Sequence, residues 1–257
     1  MAAPREVAFG DDERTLKVCV GLYFIAVQRT DGSTTHVHWA GRFDALDNID
    51  AYDGPNAHLQ LQPELDGFKL AALVAGAFHC CALTDEGTLY AFGDKYGADV
   101  ANGNLLGLGK PSEDKGPSAF PATRIGGLAP VVKVACSTYS TVAITTDGAA
   151  YSWGDNDGGA LGRATGSGDA PGRLEALRGV RACAGALSYT NGAVASSTGR
   201  VYVWGGGAWE GGLGNSQGEG VSEVSWAGVP PCYTCRDVSL GHRHGFLVFE
   251  KGVVRGA

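Results

Sequence analysis

A fixed spacing constrains this chain more than any other feature. A short apolar run ends in a small residue, and eleven residues later a glycine stands where a turn is expected. The pairs are Gly21 with Gly32, Gly76 with Gly87, Ser137 with Gly148, and Gly241 with Gly252. A further copy runs from Gly185 to Gly199, where the offset is 14 and the segment SYTNGAVASSTG reads as carrying three extra residues. The marker residues step along the chain by 55, 61, 48 and 56 residues. Self-similarity at such a period means stacked supersecondary units, each of which buries its apolar face against the next.

Each unit reads as strand, tight turn, strand. Asp31-Gly32 and Asp147-Gly148 are hairpin signals, because glycine accepts the positive φ that such turns require. After Gly148, Tyr151 and Trp153 alternate, so they share one face of a strand and that face is packed. Gly154 then allows a sharp change of direction, and Asp155, Asn156, Asp157 and Gly158 supply turn chemistry. Glycine is abundant, 41 of 257 residues against a usual ~7%. It has no every-third-residue period and instead punctuates short apolar runs. The fold class is therefore all-β, in a single repeat domain over residues 1–257.

Composition narrows the partners. The net charge of −7 repels phosphate backbones, so direct nucleic-acid binding is not expected. MAAPREVAFG at the start lacks an apolar signal core, and no run of 18 apolar residues exists. The expectation is a soluble protein of the cytoplasm or nucleus, without membrane insertion. Five cysteines, Cys19, Cys80, Cys81, Cys136 and Cys183, lie in strand-like runs and read as small buried apolar residues. Cys232 and Cys235 form one CxxC, but a structural zinc needs a second ligand pair, so no metal or other cofactor is expected.

Residues 131–162, VVKVACSTYSTVAITTDGAAYSWGDNDGGALG, carry the whole frame and closely resemble the regulator of chromosome condensation repeat. Residues 73–109 resemble it up to Phe92-Gly93, with Leu108-Gly109 as the closing pair. Residues 180–214 match at Val201-Tyr202, Trp204-Gly205 and Leu213-Gly214, while 18–41 and 236–254 are weaker copies. The resemblance implies a β-propeller of four-stranded blades, of which about five are recognisable here against a usual seven. The chain is then a smaller closed ring or a partial propeller. Glu6–Asp11 resembles a repeat's third strand: either Val7–Phe9 pairs beside Leu247–Phe249 and closes the ring, or Val253-Val254 supplies that strand locally. In this frame Gly21, Gly76, Gly185, Gly241, Gly87, Gly148, Gly199, Trp153 and Trp204 are structural repeat positions, and Trp39 falls in the same set.

The resemblance also implies function. Members of the family are interaction platforms, among them guanine-nucleotide exchange factors for a small GTPase and domains of ubiquitin ligases, scaffolds and receptors. The plant photoreceptor members need clustered tryptophans, and the repeat frame already accounts for three of the five here, so photoreception is not expected. His79 and His244 stand three residues after a marker glycine, where the family also places histidine, so they read as packing residues. His36 and His38, like His242 and His244, share a strand face but find no third ligand. No Ser/His/Asp set, Gly-x-Ser-x-Gly element or close carboxylate pair appears, so the chain reads as a non-enzyme that binds another protein. An enzymatic or small-ligand site at the propeller opening is the remaining alternative. The candidate partner-binding loops are Asp155, Asn156 and Asp157, and Trp209 with Glu210 in a glycine-rich stretch, where Trp209 is an interface anchor or a cover for a blade edge. The connections 42–70 and 94–130 lack repeat texture and read as insertions.

Overall fold

The computed structural model describes residues 14–22, 24–41, 60–94, 105–109, 119–164, 168–206, 220–224, 233–241 and 244–251. They form five antiparallel sheets in chain order. Blade 1 contains β1 (Arg14–Val20), β2 (Phe24–Thr30), β3 (Thr35–Gly41) and β4 (Gln60–Leu61). Blade 2 contains β5 (Leu70–Ala75), β6 (His79–Thr84), β7 (Leu89–Asp94) and β8 (Ala119–Arg124). Blade 3 contains β9 (Val131–Cys136), β10 (Ser140–Thr145), β11 (Ala150–Gly154) and β12 (Gly172–Arg173). Blade 4 contains β13 (Ala182–Leu187), β14 (Asn191–Ser196), β15 (Val201–Gly205) and β16 (Ser222–Val224), and blade 5 contains β17 (Tyr233–Leu240) and β18 (Gly245–Lys251).

The fold is a partial propeller. Four apolar clusters lie one between each pair of consecutive blades. β6, β10 and β14 are buried along their whole length, because a blade with two neighbours buries both faces. Among the described residues the end blades have one neighbour, and their outward strands β1 and β18 are largely exposed. Leu16, Val18, Val20 and Leu22 are exposed on blade 1, as are Phe246 and Val248 on blade 5. Among the described residues no strand bridges β1 and β18, and the sheets do not close. The expected strand Val7–Phe9 lies outside the described residues.

In blades 2, 3 and 4 the turn glycines are explained by the neighbouring blade as much as by their own turn. Gly148 has φ +81, and a Cβ there would stand 2.4 Å from the Arg181 side chain. Its carbonyl accepts the Ala182 N–H of the next blade at 2.9 Å. Gly87 accepts the Val131 N–H in the same way at 2.8 Å, and Gly199 the Cys235 N–H at 3.4 Å. The turn that ends one hairpin is therefore stapled to the first strand of the next unit. Side chains reinforce the turn locally. Asp31 accepts the Ser33 and Thr34 N–H groups, each at 2.8 Å. These bonds, with that from the Ser33 hydroxyl, lower its pKa to about 2.

Hydrogen bonding corrects one marker. The marker N–H donates to the carbonyl three residues on in Gly21, Gly76, Ser137 and Gly241. In the remaining copy Ser188 does this, to Asn191, while Gly185 lies inside β13. The offset from Ser188 to Gly199 is eleven, so this copy carries no extra residues. Ala182-Cys183-Ala184-Gly185 imitates the run before a marker, and that likeness misplaced it. The residue three positions on decides which marker is used. Phe24, His79 and His244 lay a ring over Gly21, Gly76 and Gly241, where a Cβ would come within 2.0, 2.4 and 2.7 Å of ring atoms. Where Ser140 or Asn191 stands instead, the marker is serine. Ser137 Oγ then bonds Ser140 Oγ at 2.7 Å, and Ser188 Oγ donates to the Asn191 carbonyl at 3.4 Å.

Three further readings are corrected. The residue before the strand-ending glycine is Ala40, Phe92, Trp153 and Trp204 in the four complete blades, so Trp39 is one position out of that set. Trp39 is nonetheless buried in the core between blades 1 and 2. Gly107, not Gly109, is the counterpart of Gly162: Trp153 lies over Gly107 as Trp204 lies over Gly162, with a virtual Cβ 2.7 Å from the ring in each. The two insertions contain the outer strands β4 and β8, which the sequence hides. β4, β12 and β16 are only two or three residues long, and the longer β8 contains Pro121, as suits an edge.

Candidate functional site

The turns joining the first and second strands of blades 2, 3 and 4 lie side by side at one end of the molecule. The same end carries the loop after the third strand, since the Asp155 N–H donates to the Tyr139 carbonyl at 2.9 Å. Adjacent turns are zipped together. The Leu22 N–H donates to the Ala77 carbonyl at 3.0 Å, and the Ala77 N–H to that of Thr138 at 3.3 Å. This common scaffold aligns three aromatic rings from three blades. Phe78 stacks on Tyr139 with centroids 5.4 Å apart, and Tyr139 meets Tyr189 edge-on at 5.8 Å. Exposure grows along the row: Phe78 is buried, Tyr139 half-buried, and Tyr189 41% exposed.

The loop after β11 sits beside this row. Asn156 Oδ1 accepts the Leu161 N–H at 2.9 Å and holds the loop closed. Its side chain is therefore engaged in the structure of the loop itself. Asp157 is exposed and Asp155 half-buried. Burial raises the Asp155 pKa, and the nearby Asp157 charge raises it further. Trp209 and Glu210 lie outside the described residues, as do Cys232, His242 and Gly252.

His79 and His36 are tied into the framework. His79 is fully buried, and its Nε2 lies 2.8 Å from Thr141 Oγ1 across the blade 2–3 interface. His36 Nδ1 lies 3.0 Å from Asp66 Oδ1. Among the described residues no group of three or more His, Cys, Asp or Glu could hold a metal ion. Elemental analysis of the purified protein is expected to give well under one zinc per chain. A stoichiometric reading would overturn this. Among the described residues no helix is long and apolar enough to cross a membrane.

The repeat pattern itself carries the family. The model of the Regulator of chromosome condensation (RCC1) repeat matches residues 71–95 and 131–160, which contain the inner three strands of blades 2 and 3. Residues 71–95 and 131–160 are thus regulator of chromosome condensation repeats. It is 31% identical over 150 residues to the RCC1 domain-containing protein RUG3, mitochondrial, of Arabidopsis thaliana, covering 58% of this chain and 33% of RUG3. It is 30% identical over 174 residues to the human E3 ubiquitin-protein ligase HERC2, covering 64% of this chain and 3% of HERC2. Human WBSCR16 matches its fold with a TM-score of 0.73 at 22% identity, covering 96% of this chain and 63% of that one. Yeast RCC1 (Prp20), solved bound to Kap60, matches with a TM-score of 0.71 at 16% identity, covering 97% of this chain and 56% of that one. This RCC1-repeat chain thus spans a third or less of the two sequence relatives and under two thirds of the two solved structures. Its propeller is a protein-interaction fold.

Proposed function

We propose that this RCC1-repeat chain is a protein-interaction scaffold whose turn face receives a protein partner. The aromatic row Phe78–Tyr139–Tyr189 carries the reading. Tyrosines held by a rigid neighbour lose little conformational entropy on binding and are enriched among the anchors of interfaces. Asp155 and Asp157 beside the row favour a partner with basic groups at its rim. The test compares capture of partners by the intact chain with capture by Tyr189→Ala and Asp157→Ala. Tyr189→Ala is expected to weaken the specific complex about tenfold, the effect of losing ~1.4 kcal/mol. Its melting temperature should stay within about 2 °C of the parent, since the ring is largely outside the core. Equal capture by Tyr189→Ala would move the site elsewhere on the propeller.

A narrower reading makes the partner a small GTPase whose nucleotide exchange is accelerated. Prp20, studied for its binding to Gsp1p and histones, has the same fold and supports asking the question. Release of a fluorescent guanine nucleotide from small GTPases, with and without the chain, decides it. The cytoplasm or nucleus is the proposed compartment, with the mitochondrial location of RUG3 as the alternative that imaging of the tagged chain resolves.

A further inference from the structure

Four cysteines of blades 1 to 3 are arranged across the blade interfaces. Cys80 and Cys81 are adjacent on β6, so their side chains point to opposite faces of blade 2. Cys80 belongs to the core shared with blade 1, where Cys19 of β1 packs against it. Cys81 belongs to the core shared with blade 3, where Cys136 of β9 packs against it. The two sulfur atoms of Cys19 and Cys80 are 3.6 Å apart. Cys80 is fully buried and Cys19 half-buried. Burial, and then the hydrogen bond with Cys19, hold the Cys80 thiol well above the ordinary range.

From this geometry we infer that Cys19 and Cys80 are a peroxide-responsive thiol pair that forms a disulfide between blades 1 and 2. The half-exposed Cys19 reacts first: its thiolate attacks hydrogen peroxide, giving a sulfenic acid at Cys19 and releasing water. The Cys80 sulfur then displaces the sulfenic hydroxyl, which leaves as a second water with the Cys80 proton. Two thiols and one peroxide yield one disulfide and two waters, so sulfur is oxidised and peroxide reduced. Cys81 cannot compete for Cys19, because it faces the other interface. Nor can Cys80 and Cys81 join each other within a regular strand without distorting it. Blade 1 has only one neighbouring blade among the described residues, so a covalent tie there fixes the end of the arc. The bridge links residues 61 apart in sequence, and closing a loop of that length constrains the unfolded chain strongly.

The test treats the full chain with hydrogen peroxide, blocks remaining thiols with an alkylating agent, and maps peptides without reduction. The expected product is a peptide pair joined through Cys19 and Cys80, with loss of two alkylatable thiols and reversal by dithiothreitol. The oxidised protein should melt roughly 5–10 °C higher than the reduced one. Cys80→Ser should abolish both the linked pair and the rise, leaving Cys19 trapped as its sulfenic adduct by dimedone. The wild-type peptide map decides the matter even where Cys80→Ser folds poorly. Cys19 and Cys80 both alkylatable after treatment, or Cys19 linked to a second chain, would overturn the assignment. So would a folded Cys80→Ser that keeps the thermal rise.

Discussion

Trp204→Ala is expected to remove roughly 3–5 kcal/mol of stability in urea unfolding, as large buried aromatics do. Trp204 is 1% exposed and lies between Gly192 of its own blade and Gly162 of the blade before it. Its Nε1 donates to the Ala160 carbonyl at 2.7 Å, so the ring both fills an interface and satisfies a buried acceptor. Trp153 holds the equivalent place over Gly107, fully buried, but its Nε1 has no hydrogen-bond partner among the described residues. Truncation to alanine should therefore cost a similar amount at both sites. Replacement by phenylalanine should separate them. Trp204→Phe orphans the Ala160 carbonyl and should cost about 1–3 kcal/mol more than Trp153→Phe, which removes an unpaired donor. Equal costs for the two phenylalanine variants would show that the Ala160 bond contributes nothing to the blade 3–4 interface.

The hairpins and the order of the repeats were legible because their determinants are local. A turn that demands positive φ selects glycine, and a strand buried on one face alternates; both appear in the letters of residues 131–162. What escaped was set by other blades or by contacts at a distance. Gly185 and Ser188 are told apart by a contact, the Asn191 carbonyl accepting the Ser188 N–H, although the constant eleven-residue offset, applied backwards from Gly199, also finds Ser188. Asn156 reads as an exposed loop polar residue until the Leu161 N–H is seen in its grasp. The aromatic row was missed because Phe78, Tyr139 and Tyr189 do not share one repeat position: Phe78 and Tyr139 come two residues after their markers and Tyr189 comes one after Ser188. The pairing of Cys19 with Cys80 likewise joins two different positions of the repeat, so no periodicity reveals it.

The second large effect is expected at a residue with no side chain. Gly205 ends β15 at φ +104, opposite Asn191, and a Cβ there would lie 2.0 Å from the Thr190 carbonyl oxygen and 2.7 Å from the Asn191 Cα. Both obstacles are backbone, held by the turn that Ser188 closes, so neither can swing aside as a side-chain tip would. Gly205→Ala therefore combines an unfavourable φ with a steric clash, and the expected loss is roughly 3 kcal/mol or more. Gly32 supplies the control. Its φ is +94, yet nothing lies within 4 Å of a Cβ placed there, so Gly32→Ala has only the conformational term, about 1 kcal/mol. The comparison separates the two reasons for glycine in this repeat. If both variants lose the same stability, the clash with the Thr190 carbonyl is relieved by backbone movement, and the strand-ending glycine is kept for its conformation alone. If Gly205→Ala loses far more, the end of the third strand is fixed by contact with the first turn of its own blade. In blade 3 Gly154 makes the same contact with the Tyr139 carbonyl, just ahead of Asp155 and Asp157, so there the strand-ending glycine sets the geometry of the proposed binding face.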